Sequence, residues 1–346
     1  MNNKSKLILI TLLIGLVISL LLTSGFGAVK IGITEIFNIL IDKFGCSAPQ
    51  VNQRLEAIWF SIRLPRVLLS ALIGGSLSLA GSTMQGLFRN PLADPSVIGI
   101  SSGAAMFAAM TIVWLVPLVG DSEFLGFSLL SITTFIGAAL AAIFIFNIAR
   151  YKGKTLVSTM LLAGIAINAI AGSVIGLLQF LATDLQLRDL TFWTLGSLAG
   201  ASYTVVGIIA VVLIICIILI IPEYKSFNAL TLGEHEAKLL GINTEKLKTK
   251  VIVLSALVVG VSVAFTGIIA FVGLVVPHIM RMIGGNDHRY VLPASLMGGA
   301  LLLNITDTIA RTTFAPVEIP IGVITSLIGA PLFLALLIHS KKTIQS

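Results

Sequence analysis

The chain has 346 residues, of which 57% are hydrophobic and only 11% are charged. A soluble domain carries about twice that charged fraction, so this composition excludes an ordinary soluble protein. The mean hydropathy is +1.06, and uncharged runs of about eighteen residues or more recur. They predict a polytopic membrane protein, because each run is long enough to cross a bilayer as a helix. The runs are continuous rather than alternating, which argues against a strand-built barrel.

The formal net charge of +7 requires no nucleic-acid partner. In a membrane protein, Lys and Arg residues collect in the cytoplasmic loops and fix the orientation of the chain. The two cysteines, Cys46 and Cys216, stand in a loop and in an apolar run. We therefore predict that they form no disulfide.

The first apolar run follows Lys4 and Lys6 directly. A signal peptide has a shorter apolar core and a small-residue cleavage site, so we favour an uncleaved first helix over a signal peptide. The clear spans in chain order are 7–24, 65–87, 97–119, 127–149, 155–181, 205–221, 291–310 and 321–339.

The stretch between Lys250 and Arg281 contains no charged residue. It is too long for one untilted helix across an apolar core about 30 Å thick, and its glycines can break a helix. If it splits near 267–273, the chain crosses the membrane ten times, with both termini and most basic residues in the cytoplasm. A single helix would give nine spans and place Arg281 outside, so we predict ten.

Two segments suggest an internal duplication. "SLSLAGSTMQGLFRNP" at 76–91 and "SVAFTGIIAFVGLVVP" at 262–277 share Ser, Gly and Pro at equal offsets. In the ten-span arrangement they run in opposite directions, as in an inverted repeat. Chance similarity is the alternative.

Catalytic motifs are missing from the sequence. "YKGKT" at 151–155 ends like a phosphate loop, but Ile148 stands where such a loop requires Gly, so we predict a charged turn. The histidines are scattered and no carboxylates pair. We therefore predict no catalytic residue, no ATP site, no metal and no cofactor. Asp307 lies well inside a span, and Arg311 follows one turn later. An ion pair explains it better than ion coupling does.

The longest polar insert, 223–249, contains "TLGEHEAKLLGI" at 231–242. Thr231 and Glu234 fit a capping box and Gly241 fits a C-terminal cap. We predict a short amphipathic helix with Ala237 and Leu240 on its apolar side. It either rests on lipid or docks in a groove of a cytoplasmic partner.

In the fifth span, Met160, Gly164, Asn168, Gly172 and Gly176 fall four apart. We predict that they share one face, either as a packing seam of small residues or as part of a water-accessible pathway. The amide of Asn168 favours the pathway or a hydrogen bond between helices.

The second span begins and ends with polar residues. "RLPR", with Arg63 and Arg66, opens it from outside, and Arg311 closes the ninth span on the same side. These arginines either reach lipid phosphate or receive carboxylates of a partner protein.

At the cytoplasmic end of the second span, "LFRNPLADP" at 87–95 predicts a turn, because Asn90-Pro91 and Asp94-Pro95 disfavour helix.

The longest motifs together carry a resemblance to a known family. They are "RLPRVLLSALIGGSLSLAGSTMQGLFRNPLADPSVIGISSGAA", "LGEHEAKLLGI", "GLVVPHIMRMIGGNDHR" and "EIPIGVITSLIGAP". They resemble the permeases of ATP-binding-cassette (ABC) importers for iron chelates, haem and vitamin B12. The resemblance implies an all-α polytopic protein of the inner membrane, with ten transmembrane helices per subunit in the inverted-repeat type II ABC importer architecture. It also implies a single permease domain over 1–346 and a homodimer in membrane lipid, with two cytoplasmic ATPase subunits and an extracytoplasmic substrate-binding protein.

The resemblance also implies roles for particular residues. Docking of the binding protein falls to Arg63, Arg66 and Arg311. A coupling helix at about 231–241 enters the ATPase, through Thr231, Gly233, Glu234, Ala237, Leu240 and Gly241. A cytoplasmic turn beside the ATPase contains Arg89, Asn90, Pro91, Asp94 and Pro95, with Asn90 and Asp94 expected to cap helices. The fifth and tenth spans line the pathway, at Met160, Gly164, Asn168 and Gly172. Residues 191–203 resemble a short outer helix.

The substrate stays open at this point. "MQGLFRNPLADP" and "FWTLGSLAGA" are more similar to haem permeases than to cobalamin permeases, and a ferric siderophore is the next alternative. A vitamin B12 permease, an ion-driven secondary carrier and a membrane anchor without transport are the remaining hypotheses.

Overall fold

The computed structural model describes residues 2–27, 29–43, 52–120 and 122–345. Cys46 lies outside these residues, whereas Cys216 is buried and forms no disulfide with a residue that the structure describes. The helices are α1 (Asn3–Gly25), α2 (Ile33–Lys43), α3 (Gln53–Ile58), α4 (Leu64–Phe88), α5 (Ile100–Met110), α6 (Val116–Val119), α7 (Glu123–Ala149), α8 (Val157–Leu181), α9 (Asp184–Leu195), α10 (Tyr203–Ile220), α11 (Tyr224–Leu232), α12 (Glu234–Leu239), α13 (Thr244–Thr266), α14 (Val272–Gly284), α15 (His288–Thr312) and α16 (Ile321–Gln345). Two short strands, β1 (Arg150–Tyr151) and β2 (Lys154–Thr155), form an antiparallel hairpin between α7 and α8.

The predicted all-helical membrane architecture is confirmed. Eight helices of the described chain are long and apolar enough to cross a membrane, and Val272–Gly284 and Ile321–Ala335 are shorter apolar helices. A helix of 13 residues such as α14 is only about 20 Å long, less than an apolar core of about 30 Å. The count of ten spans therefore stays a prediction.

The uncharged stretch before Arg281 divides where the sequence indicates. The helix α13 ends at Thr266, and Gly267 turns the chain with a φ of 67°. Phe271 adopts a left-handed φ of 68° immediately before α14 begins. One apolar stretch thus forms two helices joined by a non-helical link, as predicted.

The packing follows an inverted repeat. The helix α4 packs against α14 and α15, and α13 packs against α5 and α7 in the same relation. Within the halves, α5 lies on α7 as α14 lies on α15, and α4 and α13 contact each other. The first half therefore has the packing plan of the second, which the weak sequence duplication suggested.

Small residues bring the central helices together. Gly74 of α4 lies against Gly299 of α15, Gly81 of α4 lies against Gly273 of α14, and Gly103 of α5 lies against Gly137 of α7. In a bilayer the lipid tails are as apolar as leucine, so close backbone approach replaces the hydrophobic effect as the source of packing. The most apolar window of the helix that includes α4 is 83% buried, against 17% for α8. The helix α4 is thus central and α8 peripheral.

The short outer helix lies earlier in the chain than predicted. It is α9, Asp184–Leu195, whereas 196–202 is not helical. Thr183 and Gln186 form a complete capping box at its start, and Gly196, with a φ of 73°, ends it. The expectation of a helix over 191–203 is therefore wrong, because the capping pair fixes the start of the helix seven residues upstream of 191.

Candidate functional sites at the two ends of the bundle

The bundle has two ends with polar residues. We call one the α12 end; it carries α12, the β1–β2 hairpin and the turn 89–95. The other is the Arg66 end, which carries Arg66 and the link between α15 and α16. The turn and Arg66 stand at opposite ends of α4.

The short helix at the α12 end begins later than the capping pattern predicts. Thr231 lies inside α11, where its hydroxyl donates to the carbonyl oxygen of Asn228 at 2.7 Å. The N-cap of α12 is Gly233, whose φ of 129° and ψ of 154° break the helical path. The predicted Thr231–Glu234 capping box is therefore wrong. A threonine that bonds back to a carbonyl in its own helix cannot cap the next one.

The C-terminal end of α12 is as predicted. Gly241 adopts a left-handed φ of 81°, and its N–H donates to the carbonyl of Lys238 at 2.9 Å. The N–H of Ile242 donates to the carbonyl of Ala237 at 3.0 Å. These bonds form a Schellman motif, in which glycine avoids the steric cost of left-handed geometry.

The apolar residues of the α12 segment divide into a buried and an exposed set. Ala237 is fully buried, whereas Leu239 is 71% exposed. Leu232 and Leu240 are also more than half exposed. The apolar side is thus not one inward face. Its three leucines are exposed to solvent, whereas Ala237 is buried against the rest of the chain.

The carboxylate of Glu234 fixes α12 to its surroundings. It accepts from Lys238 at 2.8 Å and lies 2.9 Å from the Lys248 ammonium. Partial burial raises the pKa of Glu234, but the bonds from Lys238 and Lys248 outweigh burial and lower the pKa to about 2. Glu234 is therefore ionised at neutral pH.

The charged turn predicted at 151–155 is a β-hairpin. Arg150 pairs with Thr155, and Tyr151 pairs with Lys154. Lys152 and Gly153 occupy the tip with φ values of 48° and 77°, the left-handed geometry of a two-residue hairpin turn.

The turn after α4 is held by its own polar residues. Arg89 ends α4 in a left-handed conformation with φ 49° and ψ 35°. The side chain of Asn90 accepts from Leu92 N at 2.9 Å, which forms a local turn rather than the helix cap we expected. Asp94 caps the 3-10 helix Pro95–Ile98 as expected, by accepting from Ser96 N at 2.8 Å. Burial raises the pKa of Asp94 above its usual range.

A cavity of about 530 Å³ adjoins this turn and is lined by Arg89, Asn90, Asn228, Arg281 and Asp287, among others. Arg281 donates to the side chain of Gln85 and to the carbonyl of Ser82. From the sequence, Arg281 served only to decide between nine and ten spans, and Gln85 was not predicted as a functional residue. Nothing in the local sequence pairs two residues 196 positions apart.

The row of residues on α8 does not keep to one side. Met160 and Gly164 are buried, and Asn168 is half-buried. Gly172 and Gly176 are exposed and have no neighbour near the position of a β-carbon in the described chain. Residues four apart advance by about 40° per step, because a helical turn contains 3.6 residues. The row therefore rotates from the interior to the surface, and the prediction of one shared face is wrong.

Arg66 is the centre of a buried charged cluster at the other end. It lies 2.9 Å from Asp307 and 2.8 Å from Glu318. The Asp307 side chain is fully buried, whereas that of Glu318 is 44% exposed. Arg311 Nε lies 3.5 Å from Asp307. The predicted Asp307–Arg311 pair is therefore present, but Arg66 is the closer partner.

The other two arginines bind backbone carbonyls. Arg63 donates to Phe26 O at 2.7 Å and to Val29 O at 3.3 Å. Arg311 donates to Thr23 O at 2.5 Å. Carbonyl groups at the end of a helix such as α1 lack intrahelical donors. All three predicted docking arginines are thus buried and make contacts inside the chain, and their docking role stays a prediction.

Known proteins resemble the whole chain. Residues 12–339 match the FecCD transport family. The hemin transport system permease protein HmuU of Yersinia pestis is 40% identical over 348 residues, covering 99% of this chain and 99% of the relative. The cobalamin import system permease protein BtuC of Halobacterium salinarum is 37% identical over 288 residues, covering 83% of this chain and 75% of the relative.

A solved structure is also similar to the chain over nearly its whole length. An inward-facing conformation of a metal-chelate type ABC transporter has a TM-score of 0.82 at 31% identity, covering 96% of this chain and 99% of that chain. The apolar bundle and these similarities define an integral-membrane permease of an ABC importer. The chain belongs to the FecCD transport family.

Proposed function

We propose that the chain is the translocation subunit of an ABC importer for haem or a ferric siderophore, active as a homodimer with two ATPase subunits and a substrate-binding protein. The full-length identity of 40% to a hemin permease is the observation that carries the choice of substrate. Haem is the first candidate. Cobalamin is the alternative because a cobalamin permease is 37% identical.

The α12 end is the proposed ATPase-facing, cytoplasmic end. The exposed Leu239 lies on the short helix α12, and the exposed Leu232 and Leu240 lie just before and just after it. Apolar side chains on such a helix suit insertion into a hydrophobic groove of a partner. The turn 89–95 lies at the same end of α4 and is a second candidate contact. Both termini are cytoplasmic in this orientation.

The Arg66 end is the proposed docking end for the binding protein. Arg66 is the arginine of the cluster that has an exposed internal partner, Glu318. A carboxylate of the binding protein reaches this guanidinium by replacing Glu318, because Asp307 is fully buried. Planar guanidinium groups bind carboxylates with two parallel hydrogen bonds, which suits such an exchange.

The exposed apolar surface of the bundle is an argument for the proposed homodimer. Helix α8 exposes Leu162, Ile165, Leu177 and Phe180 along most of its length. We propose that this side meets membrane lipid and the second permease copy, and that Asn168 faces the pathway between the copies. Asn168 Oδ1 is buried without a hydrogen-bond partner in the described chain.

Reconstitution tests the proposal. The chain is assembled with its ATPase subunits and binding protein in liposomes, and haem, a ferric siderophore and cobalamin are offered separately. We expect haem or siderophore to accumulate only when ATP and every subunit are present. Uptake that needs a proton gradient but no ATPase would refute the proposal, and accumulation of cobalamin alone would select the alternative substrate.

A further inference from the structure

One lysine at the α12 end joins three separate elements. The ammonium of Lys248 in α13 lies 2.9 Å from Glu234 of α12 and 2.9 Å from Glu245 of its own helix. It also donates to the carbonyl oxygen of Thr155, in strand β2, at 3.1 Å. An ammonium group has three N–H donors, and here three oxygen acceptors lie within 3.1 Å of it.

Two hydrogen bonds connect this cluster to Thr155 of the hairpin. Glu245 accepts from the backbone N–H of Thr155 at 2.8 Å, while Lys248 donates to the carbonyl of the same residue. Thr155 is buried and lies two residues before α8 begins at Val157. The pair Glu245–Lys248 therefore fixes the backbone from which α8 starts.

On the α12 side, Lys248 differs from the other residues that contact Glu234. In the described chain, Lys238, Thr244 and Lys248 contact the carboxylate of Glu234. Of these, Lys248 is the residue that also bonds the hairpin. Its side chain is only 5% exposed, so solvent screens these interactions weakly.

We propose that Lys248 is a positioning residue that transmits movement of α12 to the start of α8. The inference rests on the proposed function, in which α12 moves with the ATPases and α8 borders the pathway. When Glu234 moves, the buried ammonium of Lys248 carries Thr155 with it, because an N–H donor of a buried group that loses its acceptor is left unsatisfied. Lys248 thus makes the hairpin and α12 move as one unit.

The chain provides a matched control two residues away. Lys250 lies on the same helix and pairs with Glu223 at 2.7 Å. Its side chain is 33% exposed, and Glu223 ends the 3-10 segment Ile221–Glu223 between α10 and α11. Lys250→Met removes the same charge and one ion pair, that with Glu223, and leaves Lys248, Glu234 and Thr155 unchanged.

Two measurements test the proposal. Spin labels at His235 and Tyr151, in a variant with Cys46 and Cys216 replaced by serine, report the distance between α12 and the hairpin. The distance between the two labels is measured in the chain alone in nanodiscs and in the full complex with and without ATP. Reconstituted liposomes give the number of substrate molecules imported per ATP hydrolysed.

We expect one narrow distance distribution for the native chain and for Lys250→Met in every state. In Lys248→Met the distribution should broaden, and import per ATP should fall by about fivefold or more, the lower range of coupling between linked sites. If Lys248→Met does not assemble, Glu234→Ala replaces it, because Lys248 then keeps Glu245 as its partner. Lys248→Arg should retain most of the coupling.

A narrow distribution and a native import ratio in Lys248→Met or Glu234→Ala would overturn the proposal. An equal fall in the ratio in Lys250→Met would overturn it too, because the loss would then reflect general destabilisation. If the native complex imports nothing, the proposed function fails. The distances in the chain alone still decide whether Lys248 links the elements.

Discussion

Gly74 and Gly299 lie backbone to backbone where α4 crosses α15. A β-carbon on either glycine would overlap the carbonyl oxygen of the other. These two helices form the most extensive contact of the described bundle. The close crossing of α4 and α15 thus depends on the absence of two side chains.

We expect Gly74→Ala to lower the free energy of unfolding by about 1–3 kcal/mol, the usual cost of overpacking. The overlap is with backbone, which cannot rotate away. Thermal unfolding in detergent measures the loss. Gly207→Ala on α10 is the control, since no atom of another element in the described chain lies within 4 Å of its β-carbon position. Equal melting temperatures for the two variants would contradict the prediction.

Removal of the buried carboxylate at the Arg66 end should be costly. Asp307→Asn leaves Arg66 and Arg311 without their fully buried anion. We expect a loss of about 3–5 kcal/mol, as for other broken buried ion pairs. Glu318→Gln, at the exposed side of the same arginine, should cost under about 1 kcal/mol. Unfolding of both variants in one detergent compares them, and a larger loss for Glu318→Gln would contradict the burial argument.

Acid should release α12 from α13. The pKa of Glu234 is about 2 in the folded chain, below its ordinary value of 4.5. A lowered pKa stabilises the folded state above the ordinary value, and that stability is lost as pH falls through the folded pKa. We therefore expect α12 to stay docked at neutral pH and to loosen progressively from pH 4.5 toward 2. The mobility of a spin label at His235 follows this, and Glu234→Gln should abolish the pH dependence in that window.

The start of α12 requires glycine. Gly233 has a φ of 129°, a conformation that costs other residues about 1–3 kcal/mol. We expect Gly233→Ala to displace α12 and to weaken binding of the proposed ATPase subunits, measured by co-purification. Gly15→Ala in α1 meets no other element of the described chain and should leave binding intact. Native recovery of the ATPase with Gly233→Ala would show that the position of α12 is unimportant for assembly.

Local features of the sequence predicted much of this protein. Hydropathy located the long helices, since membrane insertion depends on the apolarity of each segment taken alone. The break after Gly267 and the left-handed Gly241 were also predicted, because glycine frees the backbone at each of these positions. The charged turn at 151–155 followed from the missing glycine at Ile148.

Predictions failed where two local patterns competed. Thr231 fits a capping box, but its hydroxyl bonds inside α11 instead. The row on α8 was read as one face, although a spacing of four drifts around the helix. For Thr231 the sequence allowed two outcomes, whereas for the row on α8 the geometry of the helix alone decided.

By itself, the sequence determined that this is an all-helical membrane protein and where several of its turns lie, because those properties depend on neighbours along the chain. Only the tertiary structure decided which charges meet. Arg66 finds Asp307 across 241 positions, and Lys248 finds Thr155 across 93. A buried charge takes the partner that folding brings within about 3 Å, and no local pattern specifies that partner.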